Sequence, residues 1–178
     1  MRGKWAQGIV PRGFKWIITD RLAVCERPGG CGTSHRKVRR QEEIIWLREN
    51  DFDLVVSLLG SEHNLAHYEE LTVKWAQVPY GGPDEGPERL TEVLDRLVEL
   101  TNDALRVMVH RDELNDVVCG LMGAYLLWSG LVTQGPQVVS LTERLLERRL
   151  DTPGRRIIEQ AIALRGGVDD GDADDGAG

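Results

Sequence analysis

A chain of 178 residues, 41% hydrophobic and 29% charged, is sized and composed for one ordinary globular domain with a real core. The net charge of −7 is concentrated at the end, where Asp169, Asp170, Asp172, Asp174 and Asp175 cluster, so the body is close to neutral. That balance gives no global basic field for nucleic acid, and the longest apolar run, at 117–131, is broken by glycines and too short to span a membrane.

No apolar stretch follows Arg2 and Lys4, so no secretory leader is expected and the chain reads as cytoplasmic. Cys25, Cys31 and Cys119 form an odd set with no C-x-x-C pair. Cys25 and Cys31 would be able to bridge in an oxidising compartment, whereas free thiols fit a cytosolic chain. Cys119 falls in an apolar run and reads as a small core residue.

In chain order, residues 1–12 form a polar extension with Trp5 as its one strong anchor. Residues 14–19 and 21–25 are two short strands hinged at Asp20, a hairpin. The basic run at 36–40 leads into an amphipathic helix over 39–50, and reads as a solvated helix start. The continuous apolar run at 54–59 predicts a strand buried on both faces. A short helix is expected at 62–70 and an alternating strand at 71–79.

The Gly- and Pro-rich run at 81–87 is a loop, and Pro87 opens a strong helix over 88–103. Residues 105–110 (LRVMVH) form a buried strand, and 119–128 (CGLMGAYLLW) form a buried helix. Between them lies a polar loop, RDELNDVV. A strand–loop–helix junction of this kind is where many folds hold anions, because free backbone N–H groups and the helix dipole converge there. A helix over 135–149 follows, then one from an N-cap at Thr152 with Pro153 behind it, through Leu164. From Gly166 the Gly/Asp-rich composition predicts disorder. Strands alternating with helices predict a three-layer α/β domain over 13–166, with a small, mostly parallel central sheet flanked by helices, followed by an acidic tail over 167–178. Ligands in such sheets bind beyond the C-terminal ends of the strands, where the polar loop lies.

The frame FKWIITDRLAVCERPG resembles the opening of the small atypical dual-specificity phosphatases of the protein tyrosine phosphatase superfamily. The resemblance continues through LVVSLL, KWAQVPYGGPDEGP, VMVH and GLMGAYLLW, and covers roughly residues 13–164. It implies a dual-specificity-phosphatase-like fold. It also implies a chemistry resting on H-C-x-x-G-x-x-R, in which a thiolate attacks phosphorus, loop N–H groups and an arginine hold the phosphate oxygens, and an aspartate protonates the leaving group. Carried onto this chain, the histidine is His110, but the nucleophile position holds Arg111, the glycine position Leu114 and the phosphate-arginine position Val117. Val118 stands where a Ser or Thr usually follows. Asp84 alone survives, as the would-be general acid.

Each departure is serious. A guanidinium stays protonated and is no thiolate-like nucleophile. Val117 lacks the bidentate fork that clamps phosphoryl oxygens, and loss of one such donor costs about 10²–10³ in rate. Leu114 disfavours the positive φ a glycine allows. Asp112, Glu113 and Asp116 add negative charge, and a carboxylate about 4 Å from a phosphate charge repels it by roughly 4 kcal/mol. Reading Cys119 as the nucleophile fails, because no arginine stands six residues beyond it.

The resemblance therefore implies a pseudophosphatase without cofactor, acting as a scaffold or regulatory protein. Its partner would be a protein, met around His110, Arg111, Asp112, Glu113, Leu114, Asn115, Asp116 and Asp84, with no nucleic acid and no membrane. Two alternatives stand beside it. His63 and His67, spaced i, i+4, would begin a metal site for an assisted hydrolase together with Asp84 and the acidic loop at 112–116, although no complete ligand set is visible and no metal is expected. Arg111 would alternatively supply charge for a weak phospho-ligand site. Trp16, Trp46, Trp75 and Trp128 read as packing residues rather than a platform for bases.

Overall fold

The computed structural model describes residues 7–30, 36–102 and 105–169. Trp5, Cys31 and the tail beyond Asp169 lie outside the described residues. The chain forms two compact units, Met1–Tyr80 with Glu99–Asn115, and Gly81–Val98 with Asp116–Gly178.

The first unit is built on a five-stranded sheet of β1 (Lys15–Ile18), β2 (Leu22–Glu26), β3 (Leu54–Ser57), β4 (Trp75–Gln77) and β5 (Val107–Arg111), in the order β1-β2-β5-β3-β4. Only β1 is antiparallel to its neighbour, so the sheet is mostly parallel. The β1–β2 hairpin turns at Asp20, which takes φ 62°, a conformation Asp tolerates better than most residues. β3 and β5 occupy inner positions, and their apolar runs are buried on both faces, as continuous patterns require.

On one face of the sheet, Ala23, Cys25, Val55 and Met108 form a core with Ile44 and Leu47 of α1 (Lys37–Glu49) and Tyr68 of α2 (Ala66–Glu70). Phe14, Trp16, Trp46 and Phe52 close this core with ring contacts of 5.2–6.3 Å. The Arg106 guanidinium lies 5.7 Å from the Trp16 ring. These tryptophans are packing residues, as their apolar settings predict.

Two elements are shorter than their sequence patterns. The helix expected over 62–70 is confined to α2, because Asn64 takes φ 72° and interrupts the helical path before it. The strand expected over 71–79 is confined to β4; Thr72, at φ 61°, bends the chain ahead of it.

The second unit is helical. It contains a 3-10 turn at Pro83–Glu85, residues 87–98 of α3 (Pro87–Thr101), and the whole of α4 (Asp116–Trp128), α5 (Gly135–Leu146) and α6 (Thr152–Asp169). From Val118 to Leu127 every residue of α4 is buried, consistent with a helix that is apolar all round. α5 stops at Leu146 rather than Arg149, because Glu147 adopts the left-handed conformation at φ 54°. α6 continues to Asp169, past Leu164, since Gly166 and Gly167 lower helix stability without breaking a helix that has already formed. No helix among the described residues is long and apolar enough to cross a membrane.

α4 and α6 approach at glycines. A Cβ on Gly120 would come within 2.5 Å of the Gly154 Cα, and one on Gly123 within 2.7 Å of the Ile158 side chain. Gly120→Ala is therefore expected to lower unfolding free energy in urea by about 1–3 kcal/mol through overpacking. Gly60→Ala, where nothing lies within 4 Å, serves as the control and should change stability little. Equal tolerance of both would show that the α4–α6 approach is not close-packed.

Candidate functional site

β5 has parallel neighbours on both sides, so the C-terminal ends of β2, β5 and β3 lie together at one end of the sheet. Cys25 and Ser57 pair in register with His110, and Glu26 pairs with Arg111. Because successive side chains alternate, His110 joins the face of Cys25 and Met108, and Arg111 belongs to the opposite face.

The junction is tighter than its sequence suggests. β5 runs through Arg111 and α4 starts at Asp116, so the loop is residues 112–115 and both Asp116 and Val117 are helical. An acid in the first turn suits the positive end of the helix, which favours this earlier start.

His110 is 2% exposed. Its Nε2 lies 2.9 Å from the Tyr68 hydroxyl, and its Nδ1 lies 3.3 Å from the Arg111 carbonyl oxygen. Burial is the main cause that lowers its pKa to about 4, and the nearby Arg27 charge adds to the effect. Burial raises the Tyr68 pKa well above the ordinary tyrosine value, so its hydroxyl keeps its proton. The neutral imidazole then donates from Nδ1 to Arg111 and accepts from Tyr68 at Nε2. His110 is thus a fastening for the end of β5, and it stays neutral near neutral pH.

Beyond it, Asp112 pairs with Arg27 at 3.1 Å, and the Arg27 amide donates to the Asp112 carbonyl at 3.3 Å. Arg27 also reaches the His63 carbonyl at 3.2 Å. Leu114 lies beside Gly13, where a Cβ would meet its side chain at 3.6 Å. Glu113 is exposed, whereas Asn115 is half-buried. Arg111 is half-buried, and its Nε has no hydrogen-bond partner among the described residues.

Asp116, Val117 and Asp84 belong to the second unit. Asp116 Oδ1 accepts from the Asp151 amide at 2.8 Å, and Oδ2 accepts from the Gly154 amide. The cap expected from Thr152 is thus supplied by an acid from another helix. Val117 lies 3.4 Å from the point a Cβ on Gly82 would occupy, and it offers no donor. Asp84 stands in the exposed 3-10 turn, with Oδ1 2.9 Å from Arg156 Nη1 of α6. Gln160 of α6 donates to the Pro83 carbonyl at 3.0 Å and holds the same turn.

The acids at 112–116 therefore do not form a free negative cluster. Asp112 is neutralised by Arg27, and Asp116 is spent on the start of α6. The sequence pattern did not single out Arg27, Tyr68 or Arg156 as partners. Arg27 alone carried a signal, since it follows the strand that pairs with β5.

The metal alternative loses its spacing argument. His63 lies in the turn before α2, so it does not share a helix face with His67, and His67 Nδ1 sits 3.3 Å from Glu70. Among the described residues no three His, Cys, Asp or Glu side chains converge as ligands. Cys25 and Cys119 are buried, and burial raises both thiol pKa values, that of Cys119 to about 11. Neither is a thiolate at neutral pH.

No family model and no curated protein matches this sequence. Solved structures do match. Tk-PTP in its active form aligns at TM-score 0.63 and 19% identity, covering 86% of this chain and 97% of that one. A kinase-associated phosphatase with serine in place of its catalytic-site cysteine aligns at TM-score 0.67 and 14% identity, over 90% and 97%. The human tyrosine phosphatase-like serine/threonine/tyrosine-interacting protein aligns at 0.56 and 8%, over 87% and 97%. The chain thus has the α/β fold of the dual-specificity and protein tyrosine phosphatases, as the resemblance in its sequence implies.

The histidine makes a pH-dependent contribution to stability. At pH values between about 4 and the ordinary 6.5, the unfolded chain binds a proton that the native His110 refuses. Stability is therefore full above pH 6.5, falls as the pH drops towards 4, and levels off below that. His110→Gln should remove up to about 3 kcal/mol of this dependence in urea unfolding across that range. An unchanged slope in the variant would assign the titration to other groups.

Proposed function

We propose that this chain is a pseudophosphatase, a phosphatase-fold protein that does not transfer phosphoryl groups and acts as a scaffold or regulator by binding a protein partner. The observation that carries this reading is Arg111 at the last position of β5, directly after His110, with aliphatic Val117 on α4. In the resemblance drawn from the sequence, those two positions belong to a thiolate and a clamping arginine. Neither buried thiol replaces the nucleophile. Asp84 has a partner in Arg156, which suits a retained turn as well as it would a general acid.

A protein partner would meet the surface around Arg111 to Asn115, where Glu113 is exposed. A phosphorylated ligand would be held weakly there, by one guanidinium where a full cradle is the norm. One structural neighbour carries the description "interacting protein" alongside "tyrosine phosphatase-like", so a binding role has company on this fold. Unbridged Cys25 and Cys119 suit the reducing cytoplasm, where we place the protein.

The test is turnover of an aryl phosphate by the full chain. The expected rate equals the buffer blank and stays there in Asp84→Asn. Turnover that disappears in Asp84→Asn would overturn the proposal, because it would give the aspartate its acid role and the loop a working nucleophile.

A further inference from the structure

The first unit carries a second surface, which borders the loop where Gly13 lies beside Leu114. Residues 7–14 lie along α1 as a strap. Gly8, at φ 72°, sits so close that a Cβ would overlap the Glu42 carbonyl and the Trp46 amide, and the Ile9 amide donates to the same carbonyl at 3.0 Å. Beside this anchor the strap leaves a groove of about 510 Å³, with Ile9, Val10, Pro11 and Phe14 on one side and Arg39 and Glu43 of α1 on the other. Ile9 is 54% and Val10 48% exposed, an unusual state for two adjacent aliphatic residues held in place by a backbone anchor.

The charges around this groove are unbalanced. Among the described residues Glu43 is the one acid that lines it, and both of its oxygens are engaged, by Arg39 Nε at 2.5 Å and by the Gly29 amide at 3.0 Å. Arg39 Nη2 is buried and has no hydrogen-bond partner among the described residues. Arg12 also lines the groove and is exposed. A buried donor without an acceptor is costly, and a carboxylate that draws the Arg39 guanidinium outward would satisfy it. The chain's own ends are poor occupants. Residues 1–6 bring Arg2 and Lys4, which a cationic rim repels, and the acidic tail over 170–178 has no large aliphatic side chain.

We propose that this groove docks a short extended segment of a partner protein in which acidic and aliphatic residues alternate. Its aliphatic side chains lie against Ile9, Val10 and Phe14, and a carboxylate meets Arg39 and Arg12. None of these residues belongs to the loop after β5, so the inference stands whether or not that loop is catalytic.

The test uses the immobilised full chain and two matched short-peptide libraries, one of Asp, Glu, Leu, Ile and Val, the other with Lys and Arg replacing the acids. Retention of the acidic library alone is expected. Peptides recovered from it should lose about tenfold in affinity by calorimetry in Val10→Asp and again in Arg12→Glu. Both positions are solvent-facing, so thermal unfolding should stay at the wild-type temperature. Retention of neither library, equal retention of both, or affinities indifferent to both variants would overturn the proposal. So would a concentration-dependent dimer abolished by Val10→Asp, which would assign the groove to a second copy of the chain.

Discussion

The grip of the Asp116 carboxylate on the first turn of α6 organises the second unit. An 18-residue helix begins with backbone N–H groups that need acceptors, and Asp116 supplies both oxygens, to Asp151 and to Gly154. That bond sets the company α4 keeps. A Cβ on Gly154 would lie 2.8 Å from the carboxylate, and Gly120 faces the same glycine one turn further along α4. Helix start, close approach and the buried face of α4 are thus one connected solution. An anion is present at this junction, but it is a side chain of the chain itself.

The first unit solves an equivalent problem with a neutral group. β5 ends in a buried histidine, and burial of an imidazole favours its uncharged form. Tyr68 and the Arg111 carbonyl then use both ring nitrogens. Asp112 is drawn to Arg27, which is itself held by the His63 carbonyl in the turn before α2. Residues that would otherwise be free to meet a substrate have internal partners instead.

Much of the fold was legible because it rests on local pattern. The apolar runs that became β3 and β5, the strong periodicity of α3 and the uniform apolarity of α4 each specify an element and its burial. The resemblance carried by those runs led to the right fold, although 8–19% identity to these solved structures leaves few residues in common. Element ends were less legible, because single backbone choices decide them. Asn64 and Glu147, both at positive φ, cut short helices whose composition would have allowed them to continue. The site was legible in identity and illegible in partnership. Arg27 and Asp112 are 85 residues apart, and Asp116 and Gly154 are 38 apart. No spacing rule connects such pairs, so a sequence that looks like an acidic loop gives Asp112 and Asp116 separate structural duties.

The proposal that this chain is a pseudophosphatase requires that the junction after β5 does not cradle a tetrahedral or trigonal-bipyramidal oxyanion. The most direct measurement follows the amide resonances of residues 111–117 during titration of the full chain with tungstate and vanadate. The account predicts no saturable shift in these amides at millimolar anion, beyond changes that added salt reproduces. Saturable binding below millimolar concentration, centred on those amides, would contradict it.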